Sequence, residues 1–295
     1  MKSMTRSVIL LMIIFIILLA GCQAGTQTPS VGDHPFSISV SILPEAYFVE
    51  RIAGDLAEVN VMVGPGDDPH TYEPTPDQMR MLDDADIYFS IGVEFEAAWL
   101  PRFQSANQDL VIVDASTGVE RIRMAAAHEG EDAGEPDPHI WLSPSRVHII
   151  AENMAGALIE IDPGNSSKYQ ANLAEFIDDI DTLDADIRLK LEDITKRQFL
   201  TFHPAWGYFA DDYDLEMVAI EVGGQEPGAE SLAGTISLMD QYQLDVIFMQ
   251  KEFSSKSVQA IADETGARVV IVDPLARDWL SNMQTMTDAF VDALQ

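Results

Sequence analysis

The sequence predicts an α/β protein of two lobes, each a mostly parallel sheet flanked by helices, joined by one long rigid helix. Three observations predict this. Apolar runs of strand length alternate with segments of helix length, the order that builds strand–helix–strand units. The alternation stops near residue 164 and starts again near residue 196. Between the two halves, Tyr169, Phe176 and Leu183 recur every seven residues, as do Leu173, Ile180, Ile187 and Ile194. A length of 295 residues with 47% apolar content suits about two domains of roughly 150 residues, each with a real core.

In the first half, Ser37–Leu43 reads as a strand and Pro44–Ile52 as a helix. Glu58–Val63 is a second strand, and a Gly/Pro-rich loop follows it. Pro76–Asp84 reads as helix, Ile87–Ile91 as strand, Glu94–Phe103 as helix and Val111–Val113 as strand. Ser143–Ile161 is a longer helix, with Ser143 as N-cap and Pro144 in the first turn. The linking helix runs from Asn165 to Thr195. Its 31 residues at about 1.5 Å each span about 46 Å, enough to run along both lobes. The alternative for its heptads is a coiled-coil dimer, for which about four heptads is the lower limit. In the second half, strands are expected at Gln198–Phe202, Glu216–Glu221, Val246–Met249 and Arg268–Val272. Helices are expected at Glu230–Tyr242, Ser255–Thr265 and Thr285–Leu294. The lobes are thus 36–164 and 196–295, with 165–195 between them.

Residues 1–21 read as a signal peptide. Lys2 and Arg6 precede the uncharged apolar run Val8 to Leu19, which is too short to span a bilayer comfortably. The run ends in Leu19-Ala20-Gly21-Cys22, a pattern similar to that of lipoprotein signals, in which the new N-terminal cysteine carries lipid. Cys22 is the only cysteine, so neither an internal disulfide nor a cysteine-rich metal site is available. An uncleaved N-terminal anchor is the alternative. Either way the body lies outside the cytoplasm, tethered to the membrane. Residues 22–35 are a polar linker. The formal net charge is −32, and loss of Lys2 and Arg6 takes it to −34. Nucleic acid and anionic lipid surfaces are poor partners for such a chain. The charge is spread along the sequence, which suits a surface kept hydrated at high salt better than a device for attracting cations.

Three histidines each sit beside a proline in an aromatic-rich loop: Asp68-Pro69-His70-Thr71-Tyr72, Asp137-Pro138-His139-Ile140-Trp141 and Phe202-His203-Pro204-Ala205-Trp206. Proline restricts its own φ and the residue before it, so each histidine is held in a direction. His70 follows the second strand, and His203 and Asp273 directly follow strands of the second lobe. Ligands of open parallel sheets bind beyond the carboxyl ends of strands. His70 and His139 from one lobe with His203 and Asp273 from the other would close a cleft around one ion. Three imidazole nitrogens and one carboxylate oxygen suit Zn²⁺ at roughly 2.0–2.2 Å, whereas Mn²⁺ favours more oxygen. His34 and His148 read as structural or surface residues. His128 stands in a short acidic loop and reads as solvated, with weak metal collection as the alternative.

These motifs give the chain a family likeness. It resembles the zinc/manganese substrate-binding proteins of ABC importers, which include zinc-uptake lipoproteins. The likeness rests on Pro69-His70-Thr71-Tyr72-Glu73-Pro74, Gly92-Val93-Glu94-Phe95-Glu96 with Trp99-Leu100, and Asp137-Pro138-His139-Ile140-Trp141-Leu142-Ser143-Pro144. It continues through the long helix, Phe202-His203-Pro204-Ala205-Trp206-Gly207-Tyr208, Gln225-Glu226-Pro227 and Asp273-Pro274-Leu275. The resemblance implies an interlobe metal held by His70, His139 and His203 with Asp273 fourth. It implies delivery to a membrane permease and its ATPase, by a monomer. Manganese-type members are similar to one another in having a carboxylate where His203 stands, so the resemblance implies the zinc type. The long His-rich loop of many zinc-type members is here short and acidic.

The competing functions are a zinc hydrolase and a metal-containing adhesin. A hydrolase needs an open coordination position for water. The sequence has no His-Glu-x-x-His helix, and Asp273 as fourth ligand would fill that position.

Overall fold

The computed structural model describes residues 35–124, 134–221, 228–251 and 256–295, all within the contact unit Pro35–Gln295. The expected signal, Cys22, His34, His128 and the Gln225-Glu226-Pro227 motif lie outside the described residues.

Among the described residues two four-stranded sheets form, and every strand pair in them is parallel. The first holds β1 (Phe36–Val40), β2 (Ala57–Val61), β3 (Ile87–Ser90) and β4 (Val111–Asp114) in the order β2-β1-β3-β4. The second holds β5 (Gln198–Thr201), β6 (Glu216–Ala219), β7 (Val246–Gln250) and β8 (Arg268–Val272) in the order β6-β5-β7-β8. The two halves therefore share one winding. Each reverses direction beside its first strand, and the crevice beyond that point is where such sheets take ligands.

β3 and β7, inside their sheets, read as nearly continuous apolar runs because both faces are covered. All four residues of β3 are buried. β8, at an edge, leaves Val269 and Ile271 exposed. Around the first sheet lie α1 (Leu43–Ala53), α2 (Pro76–Asp83), α3 (Glu94–Ala106) and α4 (Pro144–Ile161). Thr75 starts α2 with a capping box, its hydroxyl accepting from Gln78 N at 3.3 Å. Ser143 starts α4, accepting from Arg146 N at 3.3 Å.

The long helix α5 spans Ser166–Leu191, 26 residues or about 39 Å. It is shorter than Asn165–Thr195 at both ends. A 3₁₀ turn at Pro163–Asn165 replaces its start. At its end, Arg188 and Lys190 suit the negative C-terminal dipole, whereas Glu192 and Asp193 oppose continuation. Its seam (Tyr169, Phe176, Ile180, Leu183, Ile187) is buried against the chain's own α1, α4 and last helix. That covering accounts for the heptads without a coiled-coil partner.

The second half adds α6 (Gly207–Asp212), α7 (Ala229–Tyr242), α8 (Lys256–Thr265) and α9 (Trp279–Leu294). The sequence reading missed α6, which is under two turns long. It also started α9 six residues late, at Thr285. Asp278 is the N-cap, accepting from Ser281 N at 3.3 Å, and Trp279, Met283, Met286 and Phe290 form the buried stripe. Trp279 packs edge-on against Phe48 of α1 at 5.4 Å and Phe176 of α5 at 6.4 Å. Phe290, at the other end of α9, packs against Phe248 at 4.6 Å, Phe199 at 4.8 Å and Phe209 at 5.1 Å. One helix thus completes the core over both sheets.

Candidate metal centre

The carboxyl ends of β2, β5 and β7 face a common crevice. After β2, Asp68 folds the loop back on itself by accepting from His70 N (3.0 Å) and Thr71 Oγ1 (3.2 Å). Tyr72 then packs edge-on against Phe95 at 5.1 Å. Ahead of α4, Asp137 accepts from His139 N at 2.9 Å, and a 3₁₀ turn at Ile140–Leu142 follows. After β5, His203 takes its place with Thr201 Oγ1 donating to its carbonyl at 3.0 Å.

These three loops bring His70, His139 and His203 together, as the sequence reading expects. His203 Nε2 lies 3.2 Å from His70 Nε2 and 3.2 Å from His139 Nε2. Among the described residues this is the one cluster of three such donors within metal-binding reach of one another. His139 and His203 are buried, and the His70 side chain is 29% exposed, so the rim of the site is on His70.

Each imidazole is held from behind. Glu94, the first residue of α3, lies 2.9 Å from His70 Nδ1. Asp137 Oδ1 lies 2.7 Å from His139 Nδ1, and Glu221 Oε2, just past β6, lies 3.0 Å from His203 Nδ1. An ionised carboxylate only accepts, so each Nδ1 carries the proton. In the neutral ring the Nε2 lone pair then points into the crevice. Carboxylates backing histidine in this way orient metal ligands and raise their basicity. The sequence reading did not assign any of the three a role. The Asp-Pro-His doublet was a signal for Asp137. Glu94 and Glu221 are 24 and 18 residues from their partners and carried none.

The charges respond. Burial pulls the His70 imidazole down, but the hydrogen bond and charge of Glu94, with Asp68, outweigh it and raise its pKa above 6.5. Burial likewise acts to raise Glu94, and the bond to His70 reverses this, so Glu94 falls below its ordinary 4.5. For His203, burial together with the neighbouring His139 and His70 outweighs Glu221 and lowers its pKa. His203 stays neutral further into acid.

Asp273 is placed differently. Its Oδ1 accepts from Leu275 N at 3.0 Å and its Oδ2 pairs with Lys251. Its neighbours Pro274 and Leu275 line the crevice with Gln250 and Trp141. Trp141 Nε1 donates to Pro274 O at 2.7 Å, and Trp279 Nε1 donates to Trp141 O at 2.7 Å. Asn282 donates to Asp273 O at 2.7 Å. The Asp273 loop is therefore strapped to the His139 loop, although the Asp273 carboxylate stands outside the histidine cluster. His148 lies on α4, 3.8 Å from Glu152. The crevice holds ≈ 20 Å³ of free space at its heart, room for a single water-sized body.

The chain was compared with known proteins. The model of a family described as zinc-uptake complex component A, periplasmic, matches residues 38–293. The high-affinity zinc uptake system protein ZnuA of Bacillus subtilis is 29% identical over 88% of this chain and 85% of its own. The zinc-binding lipoprotein AdcA of Streptococcus pneumoniae is 28% identical over 82% of this chain, which spans about half (50%) of that protein's length. A solved ZnuA deletion mutant with zinc bound is 41% identical, with a TM-score of 0.83 over 88% of this chain and 98% of that one. With residues 38–293 matched from first strand to last helix, the chain belongs to the family of zinc-uptake complex component A.

Proposed function

We propose that this chain captures Zn²⁺ outside the cytoplasm and hands it to an ABC-type importer, a permease with its ATPase. The observation that carries the reading is the convergence of three Nε2 lone pairs, two of the separations being 3.2 Å. Three bare acceptors repel one another at that distance, and a shared cation removes the repulsion. Zinc–nitrogen bonds of about 2.0–2.1 Å in tetrahedral geometry set nitrogen–nitrogen edges of about 3.3 Å. In this reading His70, His139 and His203 are the ligands. Asp273 becomes the fourth by exchanging its ion pair with Lys251 for the cation. The lobes are 36–164 and 196–295 with the linking helix between, and the straps through Trp141 and Trp279 limit their relative motion. Ligand binding is then a local event in a nearly fixed cleft.

The name of the AdcA relative as a lipoprotein supports tethering through Cys22, after removal of residues 1–21. The internal burial of the α5 seam supports a monomer. Capture is favoured over hydrolysis because Glu94, Asp137 and Glu221 are each engaged in holding an imidazole, leaving none placed to take a proton from water. Competition of purified protein against a chelator tests the reading. One Zn²⁺ site is expected, bound far more tightly than Mn²⁺, and His203→Ala is expected to weaken it by a factor on the order of a thousand. Tighter Mn²⁺ would reassign the cargo, and an unchanged affinity in His203→Ala would remove the site.

A further inference from the structure

We infer that Arg121 is a positioning residue for the metal centre, fastening the backbone that mounts Glu94, and through it His70, to the backbone that mounts His139. Arg121 lies in the segment after β4 and is partly buried. Its Nη2 donates to Ile91 O at 2.7 Å and Ser116 Oγ at 3.1 Å, and its Nη1 donates to Asp137 O at 3.3 Å. Ile91 and Gly92 form the turn from β3 into Glu94. Asp137 holds both the backbone and the ring of His139. One planar guanidinium therefore ties the two mounts without touching either imidazole.

The surroundings are built around this fork. Gly92 has φ +90°, and a Cβ there would stand 2.1 Å from Arg121 Nη2 and 2.9 Å from its Cζ. Glycine is thus required both by the backbone and by the room the guanidinium takes. From the other side Glu96 closes the same turn, accepting from Ile91 N at 2.9 Å and Gly92 N at 2.8 Å. The Asp137 carbonyl also accepts from Tyr208 Oη of α6 at 2.7 Å. It is therefore gripped by a residue of each lobe. A guanidinium presents its donors in a fixed fork, so one side chain sets the separation of the two carbonyls, whereas a lysine ammonium is a point donor on a flexible stem. Loss of the fork frees the two histidine mounts to move apart while the sheets stay intact.

The inference rests on the metal-capture reading only for its affinity readout, so the test has two arms on purified full-length protein. The first is metal-free. Imidazole ¹⁵N NMR of Arg121→Met is expected to show altered tautomer signatures for His70 and His139, with His148 unchanged as internal control. The second is Zn²⁺ competition. Affinity is expected to fall about 10–100-fold, the range found for residues that orient metal ligands, with circular dichroism unchanged and Arg121→Lys recovering only part of the loss. Wild-type imidazole spectra and wild-type affinity in Arg121→Met would overturn the inference. Altered spectra in a wild-type background that binds no Zn²⁺ would overturn the metal reading and leave the positioning role supported. Should Arg121→Met not fold, Ser116→Ala, which removes one acceptor of the same nitrogen, carries both arms. It is expected to shift the same two imidazoles by a smaller amount, and no shift would count against the role.

Discussion

The same three residues, Asp-Pro-His, occur at 68–70 and at 137–139, and the structure uses them in two ways. In both, the aspartate accepts from the histidine backbone N–H, at 3.0 Å from Asp68 and 2.9 Å from Asp137. There the likeness ends. Asp137 also takes the ring of its own histidine, and the pair is buried. Asp68 spends its second oxygen on Thr71, and the His70 ring is held by Glu94 from the start of α3, at the rim of the site. A local motif can fix where a histidine's backbone goes, while the direction of its ring is set by whichever carboxylate the fold delivers. One histidine is thus held by a self-contained mount and the other by a mount assembled from a loop and a helix start.

Breaking the self-contained mount should have the largest effect. Asp137→Ala removes the backbone and ring bonds together from a buried site. Zn²⁺ affinity is expected to fall about 100-fold, and the metal-free protein to lose about 1–3 kcal/mol in urea unfolding. At the assembled mount the two jobs separate. Glu94→Gln should lower Zn²⁺ affinity about tenfold with the His70 loop still folded, measured by chelator competition beside circular dichroism. Asp68→Ala should do the reverse. It should cost about 1 kcal/mol of stability with less than a tenfold change in affinity. Equal affinity losses in Glu94→Gln and Asp68→Ala would erase the distinction between the two mounts.

The assembled mount also makes a pH prediction. A histidine whose pKa is raised on folding contributes stability that is present below its ordinary 6.5 and lost as pH climbs through the raised value. A carboxylate whose pKa is lowered contributes above its ordinary 4.5 and loses that as pH drops through the lowered value. The stability difference between metal-free wild type and Glu94→Gln should therefore be greatest between about pH 4.5 and 6.5 and shrink above it. Zinc affinity should move the opposite way. Protons compete for His70, so binding weakens on acidification from a pH above 6.5 in wild type, and from a lower pH in Glu94→Gln.

Much of the fold was legible because periodicity reports burial. β3 and β7 read as strands since both their faces are covered, and the seam of α5 read as a helix since a continuous stripe of it is buried. The start of α9 was legible but missed: the Asp278 cap is followed by Trp279, Met283, Met286 and Phe290 at helical spacing, and the reading took up the pattern only at Thr285. The three clustered histidines were legible because proline, with aspartate at His70 and His139, marks stiff loops. Their backing was not, since Glu94 and Glu221 meet their partners only through strand order. Nothing in the residues around Arg121 points to a fork that spans Ile91 and Asp137.

The C-terminal helix has a consequence for how the molecule is made. Arg277 and Trp279, at its start, meet Glu50, Phe48 and Trp141, and the Arg277–Glu50 pair joins positions 227 residues apart. A ribosome must therefore release the chain as far as Trp279 before these partners in the first half acquire their covering side chains. Long-range closure of this kind slows folding. Until Trp279 has emerged, Phe48 and the Trp141 carbonyl have no cover from this helix, so closure of that part of the core waits on it.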